Sequence, residues 1–272
     1  MQYWDYHVHL ENGPYTIEWL KKFIEQGQRN NVGEIGFSEH GYRFKQAYHL
    51  IHSDGYRGKW VREYSGQDID EYIELIEEAK NQGFPVKLGI ELDYIPEKEE
   101  EIREFVKQYP FDYVIGSVHW LGDWGIDLDQ KDWENKDVYD AYKRYFDILK
   151  QAAKSRIFSF LGHPDVIKVF GYRPGVDIAE LYEDVAKVIA ENGQCVEVST
   201  AGLRKPVGEM YPSQAFLEIL LKYGVPVILD SDAHYPEHVG YMFDKGIDYI
   251  KKCGYTSLCR FKKMSRHTEV LG

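Results

Sequence analysis

The sequence has little cysteine and no long hydrophobic run. Its three cysteines, Cys195, Cys253 and Cys259, are odd in number and form no Cys-x-x-Cys pair, which argues against a disulfide framework and against a thiolate zinc site. No stretch approaches the roughly 20 apolar residues that a membrane span needs. The first ten residues, MQYWDYHVHL, lack the basic and apolar regions of a secretion signal. We therefore expect a cytoplasmic protein without a membrane partner.

Positive charge is also scarce. Of 272 residues, 33 are Lys or Arg and 45 are Asp or Glu, which gives a net charge of −12. A nucleic-acid partner is not expected, because binding a phosphate backbone requires a clustered basic face. The 43% hydrophobic and 29% charged residues are typical of a globular protein and exclude a disordered or fibrous chain. Without a repeat or a linker, residues 1–272 are predicted to form a single domain; the sequence leaves the oligomeric state open.

Short apolar runs alternate with longer amphipathic ones along the whole chain. This alternation predicts seven βα units around a parallel sheet, and hence an α/β fold. The predicted strands cover residues 3–9, 33–38, 86–91, 112–118, 157–162, 195–199 and 226–230. The predicted helices cover residues 16–30, 68–82, 97–108, 137–154, 177–192, 213–223 and 237–252. Asp68, followed by an acidic residue at position 71, marks the start of the second helix, and Gly224 marks the end of the sixth.

Two connections are longer than a compact βα unit needs. They cover residues 41–66 and 120–135. Long connections inside a compact domain are usually functional lids or mobile surface. We therefore expect one or both of them to border a functional site.

Histidines concentrate at one position in these units, namely at or just past the ends of the predicted strands. In a barrel of parallel strands, the loops after the strand ends form a single face on which catalytic groups converge. Residues far apart in the sequence would therefore meet in one pocket. A single histidine at a strand end often simply fills a half-buried position. The prediction of a functional site therefore depends on the presence of several such histidines together. The residues concerned are His7, His9, His40, His119, His163 and His234, joined by Glu91 and Asp232.

The spacing within the motifs fits metal binding. Side chains alternate along a strand, so His7, His9 and Glu11 can point the same way, as can Asp232 and His234. A set of imidazoles and carboxylates without thiolates suits Zn²⁺, Mn²⁺ or Fe²⁺ better than Ca²⁺ or Mg²⁺. At three to five ligands per ion, about eight ligands suffice for two or three ions if carboxylates or solvent bridge them.

Taken in order, these motifs resemble the polymerase and histidinol phosphatase (PHP) family of metal-dependent phosphoesterases. The motifs are HVH, SEH, GIEL, GSVHW, GHPD and SDAH, and the resemblance runs from about residue 3 to about residue 260. It implies a distorted seven-stranded (β/α) barrel with two or three divalent transition-metal ions at its C-terminal face. Within the family, STAGLRKP at 199–206, GEMYPS at 208–213 and GSVHWLGDWGIDLD at 116–129 are similar to the monofunctional histidinol-phosphate phosphatase branch.

The resemblance also implies a ligand set for each ion. The first ion would be held by His7, His9, Glu91 and Asp232, the second by His40 and His234, and the third by Glu91, His119 and His163. Many relatives place another histidine six residues after the HxH pair, where this chain has Tyr15. Either Glu11 substitutes for that histidine, or the second site is incomplete.

Catalysis on a phosphate monoester also requires positive charge on the phosphate oxygens. A guanidinium can supply bidentate hydrogen bonds to them. Arg204 is the main candidate for catalysis and substrate binding because it follows the sixth predicted strand. Arg43 after SEH is a second candidate for both roles, and Lys205 beside Arg204 is a candidate for substrate binding alone. Asp165 and His238 are candidates for the acid that protonates the leaving group.

The function implied by the resemblance is hydrolysis of L-histidinol phosphate to L-histidinol and phosphate, in histidine biosynthesis. This substrate carries an amine and an imidazole, so an acidic, aromatic pocket would suit it. Such walls could come from the segment Tyr42–Tyr64 and from Trp120, Asp123, Trp124 and Asp127. The alternatives are another small monoester, such as a nucleotide, a sugar phosphate or phosphotyrosine, a nucleic-acid phosphoesterase, and a metal-binding regulatory module.

Overall fold

Parallel strands form the centre of the computed structural model, which describes residues 2–271. Within that range, the strands are β1 (Tyr3–Val8), β2 (Val32–Phe37), β3 (Val86–Asp93), β4 (Tyr113–Ser117), β5 (Trp120–Leu121), β6 (Trp124–Gly125), β7 (Phe160–Leu161), β8 (Cys195–Ser199), β9 (Val227–Asp230), β10 (Ser257–Lys262) and β11 (Ser265–Val270). Seven of them form one sheet in the order β1-β2-β3-β4-β7-β8-β9, and all its ladders are parallel. The sheet curls into a nearly closed barrel, which confirms the predicted fold class.

The helices lie between the barrel strands and confirm the predicted βα alternation. They are α1 (Ile17–Arg29), α2 (Tyr48–Ile51), α3 (Tyr56–Tyr64), α4 (Ile69–Asn81), α5 (Glu99–Gln108), α6 (Val138–Ser155), α7 (Ala179–Glu191), α8 (Gln214–Lys222) and α9 (Phe243–Cys253). Asp68 caps α4 by accepting a hydrogen bond from the Asp70 amide. Gly224, just past α8, has a positive φ of 70°, which glycine adopts without strain. Among residues 2–271, no helix is long and apolar enough to cross a membrane.

Four parts of the prediction differ from the structure. The connection 41–66 contains the short helices α2 and α3, and two small hairpins, β5–β6 and β10–β11, were not predicted. The strand predicted at 157–162 is reduced to β7. The last helix begins at Phe243 rather than at residue 237, because a 3-10 turn (Pro236–His238) and positive φ angles at Gly240 and Met242 precede it. The prediction of a single domain stays a prediction.

The barrel is closed between β1 and β9 by side chains as well as by backbone. The Asp5 carboxylate in β1 accepts hydrogen bonds from the amides of Ser231 (3.0 Å) and Gly240 (2.9 Å). In return, the Tyr6 amide donates to the carboxylate of Asp230 in β9 at 2.6 Å. Both carboxylates are fully buried, and burial raises the pKa of Asp5 to about 6. Buried carboxylates are costly unless hydrogen bonds compensate them; Asp5 is compensated in this way, whereas Asp230 Oδ2 has no hydrogen-bond partner within residues 2–271.

Backbone hydrogen bonds also join β1 and β9 near their C-terminal ends. The His9 amide donates to the Ala233 carbonyl at 2.7 Å, and the Ala233 amide donates to the His7 carbonyl at 2.9 Å. Asp232, immediately before Ala233, has a positive φ of 49°, an uncommon conformation for a residue other than glycine. The closure therefore places the segment with Asp232 and His234 beside the two histidines of β1.

Candidate metal centre and active site

The predicted ligands converge at the C-terminal ends of the barrel strands. Three groups of side chains have nitrogen or oxygen atoms within 4.8 Å of one another. Neighbouring groups share a residue, so the three form one continuous cluster. The groups are His9, His40 and His234; His7, His9 and Glu91; and Glu91, His119 and His163.

Glu91 of β3 lies at the centre of this cluster. Its Oε1 is 3.1 Å from His163 Nε2 and 3.3 Å from His7 Nε2, and it accepts a hydrogen bond from Ser117 Oγ at 2.6 Å. Its Oε2 is 2.6 Å from His40 Nδ1. One carboxylate therefore faces all three groups, which is the arrangement that a ligand bridging several cations requires.

Buried ring nitrogens show that the cluster fits metal ions. His7 Nε2 and both ring nitrogens of His9 are buried, and within residues 2–271 they have no hydrogen-bond partner. An unpaired buried polar atom is costly. A divalent cation would satisfy these nitrogens, and imidazole with carboxylate is the donor set that Zn²⁺, Mn²⁺ and Fe²⁺ accept.

Asp232 and His234 complete two of the groups from the other side of the barrel closure. Asp232 Oδ1 lies 3.6 Å from His7 Nε2 and 3.4 Å from His9 Nε2. His234 Nδ1 lies 3.1 Å from the Asp232 carbonyl oxygen, so that its Nε2 faces His40 Nε2 at 3.4 Å. The structure thus brings the residues predicted for the first two ions together, and their role as ligands stays a prediction.

Glu11 and Tyr15, the two residues considered for the second ion, lie in different surroundings. Glu11 Oε1 is 3.4 Å from His234 Nε2, which places Glu11 beside the group predicted for the second ion. Tyr15 Oη instead donates a hydrogen bond to Glu39 Oε2 at 3.0 Å. Burial, together with the charge of Glu11, raises the pKa of Glu39 to about 7. Of the two possibilities left open by the sequence, this placement favours Glu11 as the substitute for the missing histidine.

Two further carboxylates orient the histidines, and sequence reasoning missed both. Glu197 Oε1 in β8 lies 2.7 Å from His7 Nδ1, and Asp93 Oδ1 in β3 lies 2.9 Å from His119 Nδ1. A carboxylate on Nδ1 fixes the tautomer and leaves Nε2 free for a metal. The sequence did contain a signal for Asp93, because it follows Glu91 by two positions and therefore shares its side of the strand.

The surrounding carboxylates also set the electrostatics of the cluster. Burial alone would lower the pKa of His119, but the charges of Asp93 and Asp127 and the hydrogen bond to Asp93 raise it to about 10. Burial would likewise lower the pKa of His40, whereas Glu91 raises it to about 9. Negative charge thus dominates around these imidazoles, and this favours the binding of cations.

The candidate phosphate-binding cations have different surroundings. The Arg204 Nη2 donates to the carbonyl oxygens of Ser231 (2.7 Å) and Asp232 (2.9 Å). Arg43 Nη1 lies 3.3 Å from Glu11 Oε2, and Lys205 lines the cavity above the cluster. Arg204 therefore supports the loop of a predicted ligand. The substrate contacts predicted for the three cations stay predictions.

Asp165, one candidate for the general acid, belongs to a buried network beside the site. Its Oδ2 lies 2.9 Å from Lys168 Nζ and accepts a hydrogen bond from the Ser213 amide at 2.8 Å. Lys168, which is fully buried, also donates to the Met210 carbonyl at 2.8 Å. This network fixes the segment 210–213 and gives Asp165 a structural role. The acid that protonates the leaving group stays unassigned, and for His238 the suggestion stays a prediction.

A cavity of about 170 Å³ opens above the cluster. Its walls combine aromatic and acidic side chains with the predicted ligands. Of the wall residues predicted in the loop 120–135, Trp120 and Asp127 border the cavity, whereas Asp123 accepts a hydrogen bond from Ser53 and Trp124 packs on Trp133. The cavity is lined by Glu11, His40, Tyr42, Trp60, Asp93, His119, Trp120, Asp127, Leu128, His163, Val166, Val169, Lys205, Tyr211, Asp232 and His234.

Comparisons with known proteins agree with this geometry. The PHP domain matches residues 5–201. A probable histidinol-phosphatase of Deinococcus radiodurans is 34% identical over 73% of this chain and 78% of its own. The histidinol-phosphatase of Bacillus subtilis is 26% identical over 93% of this chain and 100% of its own.

A solved structure shows the same fold. It is the histidinol phosphate phosphatase of Lactococcus lactis complexed with zinc, L-histidinol and phosphate, with a TM-score of 0.78, 21% identity, and coverage of 98% of this chain and 99% of that chain. The likeness confirms the predicted barrel. Because the PHP domain matches well over half of the sequence, the chain belongs to the PHP domain family.

Proposed function

We propose that this protein hydrolyses L-histidinol phosphate to L-histidinol and inorganic phosphate, the reaction of a phosphoric monoester hydrolase in histidine biosynthesis. The observation that carries the proposal is the continuous cluster of three imidazole and carboxylate groups beneath an acidic, aromatic cavity. Relatives that match over nearly their whole length are named histidinol-phosphatase or probable histidinol-phosphatase, and they support the choice of substrate.

Two or three divalent transition-metal ions would be held by the three groups, with Asp232 and Glu11 as additional ligands. When bound, such ions lower the pKa of a coordinated water toward about 7 and neutralise phosphate charge. Glu197 and Asp93 orient two of the ligands, because they hold the rings of His7 and His119 with Nε2 toward the cluster. This pre-organisation matters because misplacement of a reacting group by about 1 Å can reduce the rate about 100-fold.

The cavity contributes charge, shape and exclusion of water. Lys205 is a cation on its wall, suited to attract a phosphate dianion to the cluster. The guanidinium of Arg204 packs over the Tyr241 ring at 5.1 Å, and its Nη1 is buried without a partner among residues 2–271. Arg204 does not line the cavity; its Nη2 holds the Asp232 loop, and its unpaired Nη1 is the atom that would donate to a phosphate oxygen.

The net charge of the chain also favours a small substrate. The net charge of −12 disfavours a nucleic-acid substrate. A small phosphate monoester as the partner and a cytoplasmic location are the remaining parts of the proposal.

Phosphate release tests the proposed function. Protein reconstituted with Mn²⁺, Zn²⁺ or Fe²⁺ is assayed with L-histidinol phosphate, p-nitrophenyl phosphate, a nucleotide monophosphate, a sugar phosphate and phosphotyrosine. We expect a kcat/KM of about 10⁴ M⁻¹s⁻¹ or more for L-histidinol phosphate, and much lower values for the others. A preference for another monoester would replace the substrate, and no turnover of any of them by metal-loaded protein would support a regulatory module.

Matched variants connect the activity with the cluster. We expect His9→Ala and Asp232→Ala each to lose metal and activity together, because both side chains face the same group. His267→Ala, an exposed position in β11, is the control. Full activity of the His9 and Asp232 variants would exclude this cluster as the catalytic centre.

A further inference from the structure

Asp127 differs from the other carboxylates that border the cavity. Asp93 is engaged with His119, Glu11 with Arg43, and Asp232 faces the histidines of β1. Within residues 2–271, the Asp127 side chain has no ion pair within 4 Å and no hydrogen bond; its charge acts on His119 from a greater distance, and its Oδ1 is buried. A buried carboxylate oxygen without a partner is costly, so this position indicates a ligand that supplies the missing donor.

The backbone fixes Asp127 close to the metal cluster. The preceding residue, Ile126, donates its amide hydrogen to the His119 carbonyl at 2.9 Å, and its own carbonyl accepts from Trp133 Nε1 at 2.9 Å. These two bonds hold Asp127 beside a predicted metal ligand, in the turn that follows β6. The carboxylate is therefore positioned before any ligand arrives.

The chemistry of the wall selects a cation. A carboxylate repels a phosphate dianion and attracts an ammonium group, to which it can offer charge-assisted hydrogen bonds. The indoles of Trp60 and Trp120 meet edge to face at 5.4 Å on the same cavity, and aromatic faces also attract cations. The Tyr211 hydroxyl, which borders the cavity too, is buried without a partner in the described part of the chain, and its oxygen can accept a second ammonium hydrogen.

We propose that Asp127 binds the ammonium group of the substrate's leaving alcohol and thereby selects phosphate monoesters of amino alcohols. This inference rests on the proposed function, in which the phosphate lies at the cluster. In L-histidinol phosphate the amine is carried by the second carbon from the ester oxygen, so it stays close to the phosphate, as Asp127 stays close to His119. The imidazole then extends toward the aromatic wall.

The test compares two substrates that differ in the amine. L-Histidinol phosphate and 3-(imidazol-4-yl)propyl phosphate are both alkyl esters, and the second lacks the ammonium group. For Asp127→Asn we expect kcat/KM to fall about 10- to 100-fold on the first substrate, mainly through KM, and to stay within about twofold on the second. Asp127→Glu, which keeps the charge, should retain more of the preference. An equal loss on both substrates would overturn the proposal in favour of a structural or proton-transfer role.

A binding measurement gives a second readout that does not depend on turnover. We expect the Kd of L-histidinol, measured by calorimetry, to rise by a similar factor in Asp127→Asn with the metal content unchanged. Asp123→Asn is the matched control, since Asp123 lies in the same loop but bonds Ser53 at the surface. Unchanged L-histidinol binding in Asp127→Asn would overturn the inference. A wild-type enzyme that does not prefer L-histidinol phosphate over p-nitrophenyl phosphate would instead overturn the proposed function.

Discussion

Glu197 connects two predicted ligands through a single side chain. Its Oε1 lies 2.7 Å from His7 Nδ1, and its Oε2 accepts the amide hydrogen of His163 at 2.5 Å. Both oxygens are thus committed to positioning, and Glu197 is fully buried. Carboxylates behind metal-binding histidines typically change metal affinity when they are altered, because they fix the ring and raise its basicity.

Glu197→Gln tests this positioning role. An amide has one accepting oxygen, so it cannot serve both His7 and the His163 amide, and its NH₂ group opposes one of these donors. We expect metal affinity to fall about 10- to 100-fold, measured by competition with a chelator, while circular dichroism shows a folded barrel. Glu191→Gln, at an exposed position at the end of α7, is the control and should bind metal like the wild type. Equal metal affinity of both variants would contradict the role.

Arg204→Ala gives a second prediction at this scale. Its Nη2 holds the carbonyl oxygens of Ser231 and Asp232, and hydrogen bonds from a charged group contribute about 1.5 to 3 kcal/mol each. We therefore expect the variant to lose metal at the group that contains Asp232 as well as affinity for the phosphate ester. Metal analysis and KM measured at saturating metal separate the two effects. Full metal occupancy with a raised KM would restrict Arg204 to phosphate binding.

The sequence predicts the histidines and acidic residues at the strand ends more readily than the carboxylates that orient these histidines. Histidine and acidic residues after apolar runs identify a shared face, because parallel strands end on the same side of a barrel. Glu197 could not be assigned in this way: it stands inside an apolar strand, and its contact with His7 joins positions 190 residues apart. Such a contact becomes visible only when the order of the strands around the barrel is known.

At the scale of elements, the C-terminal hairpin closes the end of the barrel opposite the cluster. Phe261 in β10 stacks on Phe160 in β7 at 5.5 Å, and the Cys259 carbonyl accepts a hydrogen bond from Trp4 Nε1 at 2.9 Å. The Met264 amide reaches the Asp112 carbonyl at 2.7 Å. These partners lie at the beginnings of strands, whereas the metal cluster lies at their ends. The hairpin was not predicted, because β11 is exposed along its whole length and carries no apolar pattern.

Phe261→Ala measures how much the C-terminal hairpin contributes to the stability of the barrel. The side chain is 2% exposed, and removal of a buried phenyl ring typically costs about 3 to 5 kcal/mol. We expect the free energy of unfolding, measured by urea titration of the metal-loaded protein, to fall by about this amount while KM stays unchanged. His267→Ala removes an exposed side chain opposite Arg260 on the neighbouring strand and should leave stability unchanged. A loss of less than about 1 kcal/mol for Phe261→Ala would show that the hairpin is dispensable.

At the scale of the whole molecule, the cluster joins the two ends of the sheet. The strands β1 and β9 meet through Asp5, Asp230 and a short stretch of backbone pairing. The predicted ligands come from every barrel strand except β8, which contributes Glu197 behind them. Ions bound at the cluster would therefore connect the segments on both sides of this closure. Binding to the folded state alone stabilises that state.

Removal of metal should consequently lower the stability of the whole barrel. At a free metal concentration 1,000 times the Kd, binding contributes about 4 kcal/mol for one site, which corresponds to a Tm change of roughly 8 to 16 °C in a chain of this size. We expect a chelator to lower Tm by at least several degrees and added Zn²⁺ or Mn²⁺ to restore it. Tm is measured by calorimetry, with metal analysis of each sample. Asp232→Ala should begin at a lower Tm and respond less to the chelator. If verified loss of metal left the wild-type Tm unchanged, the ions would bind the unfolded chain as tightly as the folded one, and the closure between β1 and β9 would depend on the buried carboxylates and the backbone pairing.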